Sequence, residues 1–513
     1  MDKQSGFNLL QAAVLDGKYD IVLKANGLLE NFVEEMKYTK TGNNAKGFPG
    51  KTAIDILSLV KGTKLNHYSI ERLQHWAENN SGLYELQWAA CNDDVEQAVE
   101  FVLSGDVDID ALGSGNDCTA LLQASRSSSS QFIETLIDLG ADVNAQRKDD
   151  KVTPLISAIE WNNYMAACLL LRHGADVDVQ GGDGFTPLHF SVNKGHENLS
   201  RLLVEHNADV NIRDKYGDTP LHWCAREGNE NLCRLLLKHN GDVNIQGKGG
   251  YTPLHWCALK GNKNVCRLLL EHNADVNIRD TWGDTPLHLC TREGNENLFR
   301  LLLEHNADVY IRDTWGDTPL HLCTREGHEN LCRLLLEHNA DVYIQNTRGY
   351  TPLHLCAAEG NEDLCRLLLE HNADVSIQGK DGYTPLHKCA STGNENLCRL
   401  LLEHNADVNI RDRGDGYTPL HWCVRKGNEN LCRFLLQHNA NVNIQDKDGY
   451  TPLHRCVREG NENLGRLLLE HNAAVDIQDR DGYTPLHWCV REGNENLCKL
   501  LLEHNVDVNI EDK

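Results

Sequence analysis

Residues 448–478 read D-G-Y-T-P-L-H-R-C-V-R-E-G-N-E-N-L-G-R-L-L-L-E-H-N-A-A-V-D-I-Q, and this stretch decides the fold. Thr451 is a good helix N-cap, and Pro452 suits the first helical position, where its missing N–H is not needed. His454 stands where a capping box would carry Glu or Gln, so its imidazole is expected to bond back to the Thr451 hydroxyl and nearby backbone. Gly460 should stop this short helix and Asn461 can cap the next. Leu464, Leu467 and Leu468 then form an i, i+3, i+4 apolar stripe, the mark of a helix with one buried face. Asn472 should end that helix, because Asn tolerates a left-handed backbone. The A-x-V-x-I run after it, with the turn at Gly482, reads as an extended hairpin leading to the next unit.

The unit recurs. T-P-L-(H/I) starts at Thr153, Thr186, Thr219, Thr252, Thr285, Thr318, Thr351, Thr384, Thr418, Thr451 and Thr484, a step of 33 residues with a single 34 after Thr384. A fixed period in this range signals stacked supersecondary units. Upstream the pattern decays. Cys118-Thr119-Ala120-Leu121 leads to Leu139-Gly140-Ala141-Asp142-Val143-Asn144, and Leu86-Gln87-Trp88-Ala89-Ala90 precedes Asp106-Val107-Asp108. Leu10-Gln11-Ala12-Ala13 and Gly50-Lys51-Thr52-Ala53 look like degenerate units on either side of a polar insertion at residues 37–50. The reading is therefore divergent units over 1–83, two divergent repeats over 84–150 and eleven regular repeats over 151–513, fifteen units in all. Residues 282–314 and 315–347 differ only at Asn295/His328, Phe299/Cys332, Arg312/Gln345 and Asp313/Asn346, which points to recent duplication.

The T-P-L-H-x-A/C-x-x-x-G core, the L-L-x-x-(G/N)-A-D-V-N ending and the 33-residue length resemble the ankyrin repeat. The resemblance covers residues 84–513, with a weaker extension over 1–83. It implies an all-α helical repeat solenoid with short β-hairpin loops, an elongated superhelix whose hairpin tips and first helices line a concave face that binds proteins. It also implies that asparaginyl hydroxylases can act at the Asn of L-x5-x-D-V-N, which here is Asn211, Asn244 or Asn277. Tyr310, Tyr343 and Ser376 replace that Asn in neighbouring units.

Composition narrows the function classes. At 513 residues the chain exceeds what one core supports, and its net charge of −25 argues against nucleic acid, which needs gathered Lys and Arg. No stretch approaches the ~18 apolar residues of a membrane span, and Met1-Asp-Lys-Gln-Ser-Gly does not open a signal peptide. A cytoplasmic location is expected, with the nucleus as the other compartment open to it. Nineteen cysteines recur in pairs such as Cys224 and Cys233, Cys257 and Cys266, or Cys489 and Cys498, without the C-x2-4-C spacing of zinc sites. They stand where the repeat pattern has Ala or an aliphatic, so they are expected to be small buried apolar residues in a reducing compartment, with no metal and no redox role. Twenty-one of 25 histidines fall at two repeat positions, which marks them as scaffold. No nucleophile, Walker or dinucleotide motif occurs, so no catalytic residue and no cofactor is expected.

Candidate binding residues come from positions that vary between units. The site after T-P-L-H holds Phe190, Trp223, Trp256, Leu289, Leu322, Leu355, Lys388, Trp422, Arg455 or Trp488, and since Lys and Arg are seldom buried it should reach solvent, leaving each Trp partly exposed. The residue before Thr is often Tyr, as at Tyr251, Tyr350, Tyr383, Tyr417, Tyr450 and Tyr483. Where it is Asp, the tip carries Tyr216, Trp282 or Trp315 instead. With Arg226, Arg292, Arg325, Arg425, Arg458 and Arg491 beside them, these rings read as a contact strip, since Tyr, Trp and Arg dominate interface hot spots. The expected function is a non-enzymatic scaffold for protein partners. The alternative is the substrate- or signal-recognition subunit of a larger signalling or ubiquitin-ligase assembly. The final unit keeps Cys489, Val490, Leu497, Cys498, Leu500, Leu501 and Val508 of an internal repeat, so either the chain is a fragment or this face self-associates end-on.

Overall fold

A computed structural model describes residues 86–511, apart from 88, 91–92, 104–107, 113–117, 128 and 505. The expected units over residues 1–83 lie outside the described residues. Those described form 25 α-helices and no strand, divided between a unit ending at Lys248 and a unit starting at Gly249. Divergent helices Val95–Leu103, Ala120–Ser127 and Ser130–Asp138 come first. Eleven helix pairs follow, from Pro154–Glu160 with Tyr164–Arg172 to Pro485–Glu492 with Glu495–Glu503.

Local chemistry sets each boundary. In the unit quoted above, the first helix spans Pro452–Glu459, with Thr451 as N-cap and Gly460 in the left-handed region at φ 70°. Asn461 caps the second helix, Glu462–Glu470, by accepting the N–H of Leu464 at 3.1 Å. Asn472 sits at φ 62°, as do its counterparts from Asn207 to Asn439 within a few degrees. The leucine stripe of Leu464, Leu467 and Leu468 is buried.

The hairpins are turns rather than ladders. The Asp280 N–H bonds the Asp284 carbonyl at 2.8 Å, and the Thr281 N–H bonds the Gly249 carbonyl of the preceding turn at 2.9 Å. A carboxylate takes the remaining donors: Asp280 Oδ1 accepts the N–H groups of Trp282 and Asp284 at 2.8 and 2.9 Å. Asp313, Asn346, Asp446 and Asp479 do the same in their turns. This acidic or amide residue five before Thr is a signal that periodicity reasoning passes over.

The histidines join repeat to repeat. His354 Nδ1 accepts the Thr351 N–H at 3.1 Å, completing the capping box, so Nε2 carries the proton and donates it to the Tyr383 carbonyl of the next repeat at 3.0 Å. His189 makes the same clip in the first unit, and His255, His288, His321, His387, His421 and His454 make it in the second. Within each unit, first helices pack on one another more extensively than second helices do, so the first-helix row forms the tighter side of the stack.

In the final repeat Cys489, Leu497, Leu500 and Leu501 are buried and Cys498 is half-buried, whereas Val490 is 68% exposed where its counterparts Val424 and Val457 are buried. Only Val490 and Val508 of the expected set are exposed, joined by Leu502. Among the described residues the cysteines are buried as expected, apart from half-buried Cys168 and Cys498. Cys323–Cys332 and Cys356–Cys365 are nonetheless disulfides, because the helix-turn-helix sets residues nine apart face to face, and this corrects the expectation of free thiols.

Candidate functional site

Eight of the T-P-L-H histidines, those that clip to the next repeat, are held too tightly to act as general bases near neutral pH. Both ring nitrogens are engaged, and burial pushes the imidazoles of His255, His354, His387, His421 and His454 down to about 4. Among the described residues no group of three or more His, Cys, Asp or Glu is placed to hold a metal ion. What the repeats do bring together is a row of rings and cations along the hairpins and first helices.

In the second unit the row is continuous from Tyr383 to Trp488. Tyr383 meets the edge of Trp422 at 6.0 Å, and Tyr417 meets the same indole at 5.5 Å. The Arg455 guanidinium lies 5.0 Å from the Tyr417 ring and 4.8 Å from that of Tyr450. Arg458 lies 5.2 Å from Tyr450 and 4.7 Å from Trp488, whose indole also touches Tyr450 and Tyr483. Arg425 and Arg491 cover the indoles of their own helices, Trp422 and Trp488. Such cation–π contacts contribute roughly 0.5–1 kcal/mol each where exposed, more where dry.

Burial then divides the candidates. Tyr350, Tyr417, Tyr450 and Trp488 are buried, while Tyr251, Trp256, Tyr383, Trp422 and Tyr483 are half-buried. The expectation that every Trp after T-P-L-H is partly exposed fails at Trp488, whose Nε1–H is drawn onto Asp479 at 2.7 Å. Leu289 and Leu322 are buried at that position too, and Lys388 and Arg455 are half-buried. The cations tolerate this because partners wait: Arg455 pairs with Asp446 at 2.8 Å, and Lys388 donates to the Tyr350 hydroxyl at 2.6 Å, 4.2 Å from its ring. Lys388, Arg455, Asp446 and Asp479 belong to the strip although aromatic and arginine patterning alone does not pick them out.

The free surface is at the tips. Trp282 is 46% exposed, Trp315 51% and, in the first unit, Tyr216 41%. Behind the first two runs an ion-pair network in which Arg292 reaches Asp284 at 3.0 Å and Asp313 at 3.3 Å, its guanidinium 5.8 Å from the Trp315 ring. Arg325 pairs with Asp317 at 2.7 Å. Burial raises the Asp284 carboxyl to about 6, against the pull of Arg292. In the first unit Trp223 donates to Asp214 at 3.3 Å under the Arg226 guanidinium, and Lys215 and Lys248 flank the Tyr216 ring.

The asparagines expected as hydroxylation sites lie on the loops after the second helices. Asn211 donates to the Asn240 carbonyl at 3.2 Å and accepts the Asp242 N–H at 2.8 Å. Asn277 accepts the Asp308 N–H at 2.8 Å, and Asn244 is exposed. Tyr310 and Tyr343 keep the donor half of this link through their hydroxyls, bonded to the Asn339 and Asn372 carbonyls.

The sequence model described as ankyrin repeats (3 copies) matches six overlapping stretches: 86–181, 173–247, 241–313, 310–379, 374–446 and 438–512. The chain is 38% identical over 90 residues to the nuclear factor NF-kappa-B p105 subunit of Gallus gallus, 17% of this chain and 9% of that one. It is 36% identical over 88 residues to the potassium channel AKT1 of Oryza sativa subsp. indica, again 17% and 9%. Against the putative ankyrin repeat protein FPV031 of Fowlpox virus (strain NVSL) it is 36% identical over 95 residues, 18% and 28%. The matched segments thus span less than a third of each relative. Capped helix pairs in register, turns clipped one to the next, and a family match running from residue 86 to 512 agree: this chain belongs to the ankyrin-repeat family.

Proposed function

We propose that the chain is a non-enzymatic scaffold that binds protein partners along its row of hairpin tips and first helices. The observation that carries this reading is the exposure of Trp282 and Trp315 on tips already made rigid by Asp280, Asp313 and the Arg292 pairs. Large rings held in place lose little entropy on binding and add apolar area at the contact. The buried rings of the strip, Tyr417, Tyr450 and Trp488, serve by fixing the tips around them.

Crosslinking pull-down with the full chain tests this. The double substitution Trp282→Ala/Trp315→Ala should lose the partners recovered with the parent chain, at least tenfold in apparent affinity, while Tyr310→Ala/Tyr343→Ala, nearer the second helices in the connecting segments, keeps them. Equal recovery with both variants would show that the tips do not bind.

A further inference from the structure

Seven repeats carry cysteine two residues after the His of T-P-L-H and again nine residues later. The first position is Cys224, Cys257, Cys323, Cys356, Cys389, Cys423 or Cys489. Nine residues carry the chain from the first helix, through its glycine cap, to the facing position of the second helix. In two repeats the result is a disulfide, with Cα atoms 5.8 and 5.9 Å apart, inside the range that the bond requires. In the next repeat the Sγ atoms of Cys389 and Cys398 lie 2.6 Å apart, and the thiols of Cys423 and Cys432 are also in contact. These four repeats have the same helix bounds and caps, so they offer the same cysteine geometry. Two further repeats supply internal contrasts, since Cys290 faces Phe299 and Cys456 faces Gly465.

We propose that the seven cysteine pairs nine residues apart are redox-modification sites, each closing to an intra-repeat disulfide by exchange with a low-molecular-weight disulfide. One cysteine thiolate attacks the small disulfide and releases one small thiol. The second cysteine then attacks the mixed disulfide and releases the other. Two protein thiols are oxidised, one small disulfide is reduced to two thiols, and the protons released by the cysteines end on them. Burial holds the thiols of Cys389 and Cys423 in their protonated form, so exchange proceeds through opening of single repeats and is slow in the closed stack. Once closed, the bond ties first helix to second within one repeat and leaves the joints between repeats as they are.

The test uses the full chain, reduced completely, freed of reductant and incubated folded with oxidised glutathione. The sample is quenched with iodoacetamide in denaturant and digested without reduction by trypsin and a glutamyl protease, which cut within the nine-residue spans. The expected products are intra-repeat links at Cys389–Cys398 and Cys423–Cys432 as well as at the two pairs already bonded, each two hydrogens lighter, with Cys290 and Cys456 alkylated. The substitution Cys398→Ala should leave Cys389 alkylated. Recovery of Cys389, Cys398, Cys423 and Cys432 as alkylated thiols, while the denatured chain oxidises under the same conditions, would overturn the proposal. Links between different repeats, such as Cys398 to Cys423, would overturn it as well.

Discussion

His354 does two jobs with one ring: Nδ1 closes the cap of its own helix and Nε2–H holds the next repeat. The first job is legible in Thr-Pro-x-His, because it spans three residues. The second is not, because it depends on how far the following turn rises above the ring. Eight of these imidazoles are neutral in the folded chain, seven held down at about 4 and His288 at about 3, against an ordinary 6.5. The unfolded chain therefore binds protons first on acidification. Stability supported by these rings is fully present above pH 6.5 and is lost as pH falls from there through about 4. Seven aspartates act in the opposite sense, because burial raises the carboxyls of Asp110, Asp178, Asp280, Asp313 and Asp412 and takes those of Asp218 and Asp284 to about 6. They favour folding as they protonate, but the eight rings outnumber them. The urea midpoint should accordingly drop steeply between pH 7 and pH 5. A flat or rising midpoint over that interval would contradict the clip.

At the scale of the element, the caps and turns are set by residues a few positions apart, which is why Thr451, Gly460, Asn461 and Asn472 announce their roles in sequence. The pairing of Cys356 with Cys365 depends instead on how the two helices of one repeat face each other, and ring burial at Trp488 on its stacked neighbours, neither of which is set by residues a few positions apart. Two glycines separate local from stacking effects. Both Gly327 and Gly349 have left-handed backbones, at φ 79° and 78°. A Cβ on Gly327 would meet only the Asn361 side chain at an ordinary 3.6 Å, whereas on Gly349 it would strike the Lys380 backbone nitrogen at 2.7 Å. Gly327→Ala should cost about 1 kcal/mol from backbone strain alone. Gly349→Ala should cost clearly more, because the next turn must also move. Native-state amide exchange in the affected repeats measures both, and equal protection loss would show that the turns do not bear on one another.

For the whole molecule, each repeat leans only on its neighbours, so stability is nearly a sum of repeats and joints. Helices Val95–Leu103 and Ala120–Ser127 lack both the Thr-Pro cap and the histidine clip. Amides in residues 95–138 should therefore exchange before those in 251–480, and uniform protection would refute additivity. The clips between Thr-capped turns have a further consequence, for heredity. Every such joint in residues 251–480 uses the same His nitrogen and the same backbone carbonyl, whatever side chain carries that carbonyl, Asp317 or Tyr350 alike. Unequal crossing-over between the near-identical stretches 282–314 and 315–347 would remove or add 33 residues and regenerate a joint of the same kind. The gene can thus change the length of its product by whole repeats, and with it the number of tryptophan tips on offer, without having to invent a new seam.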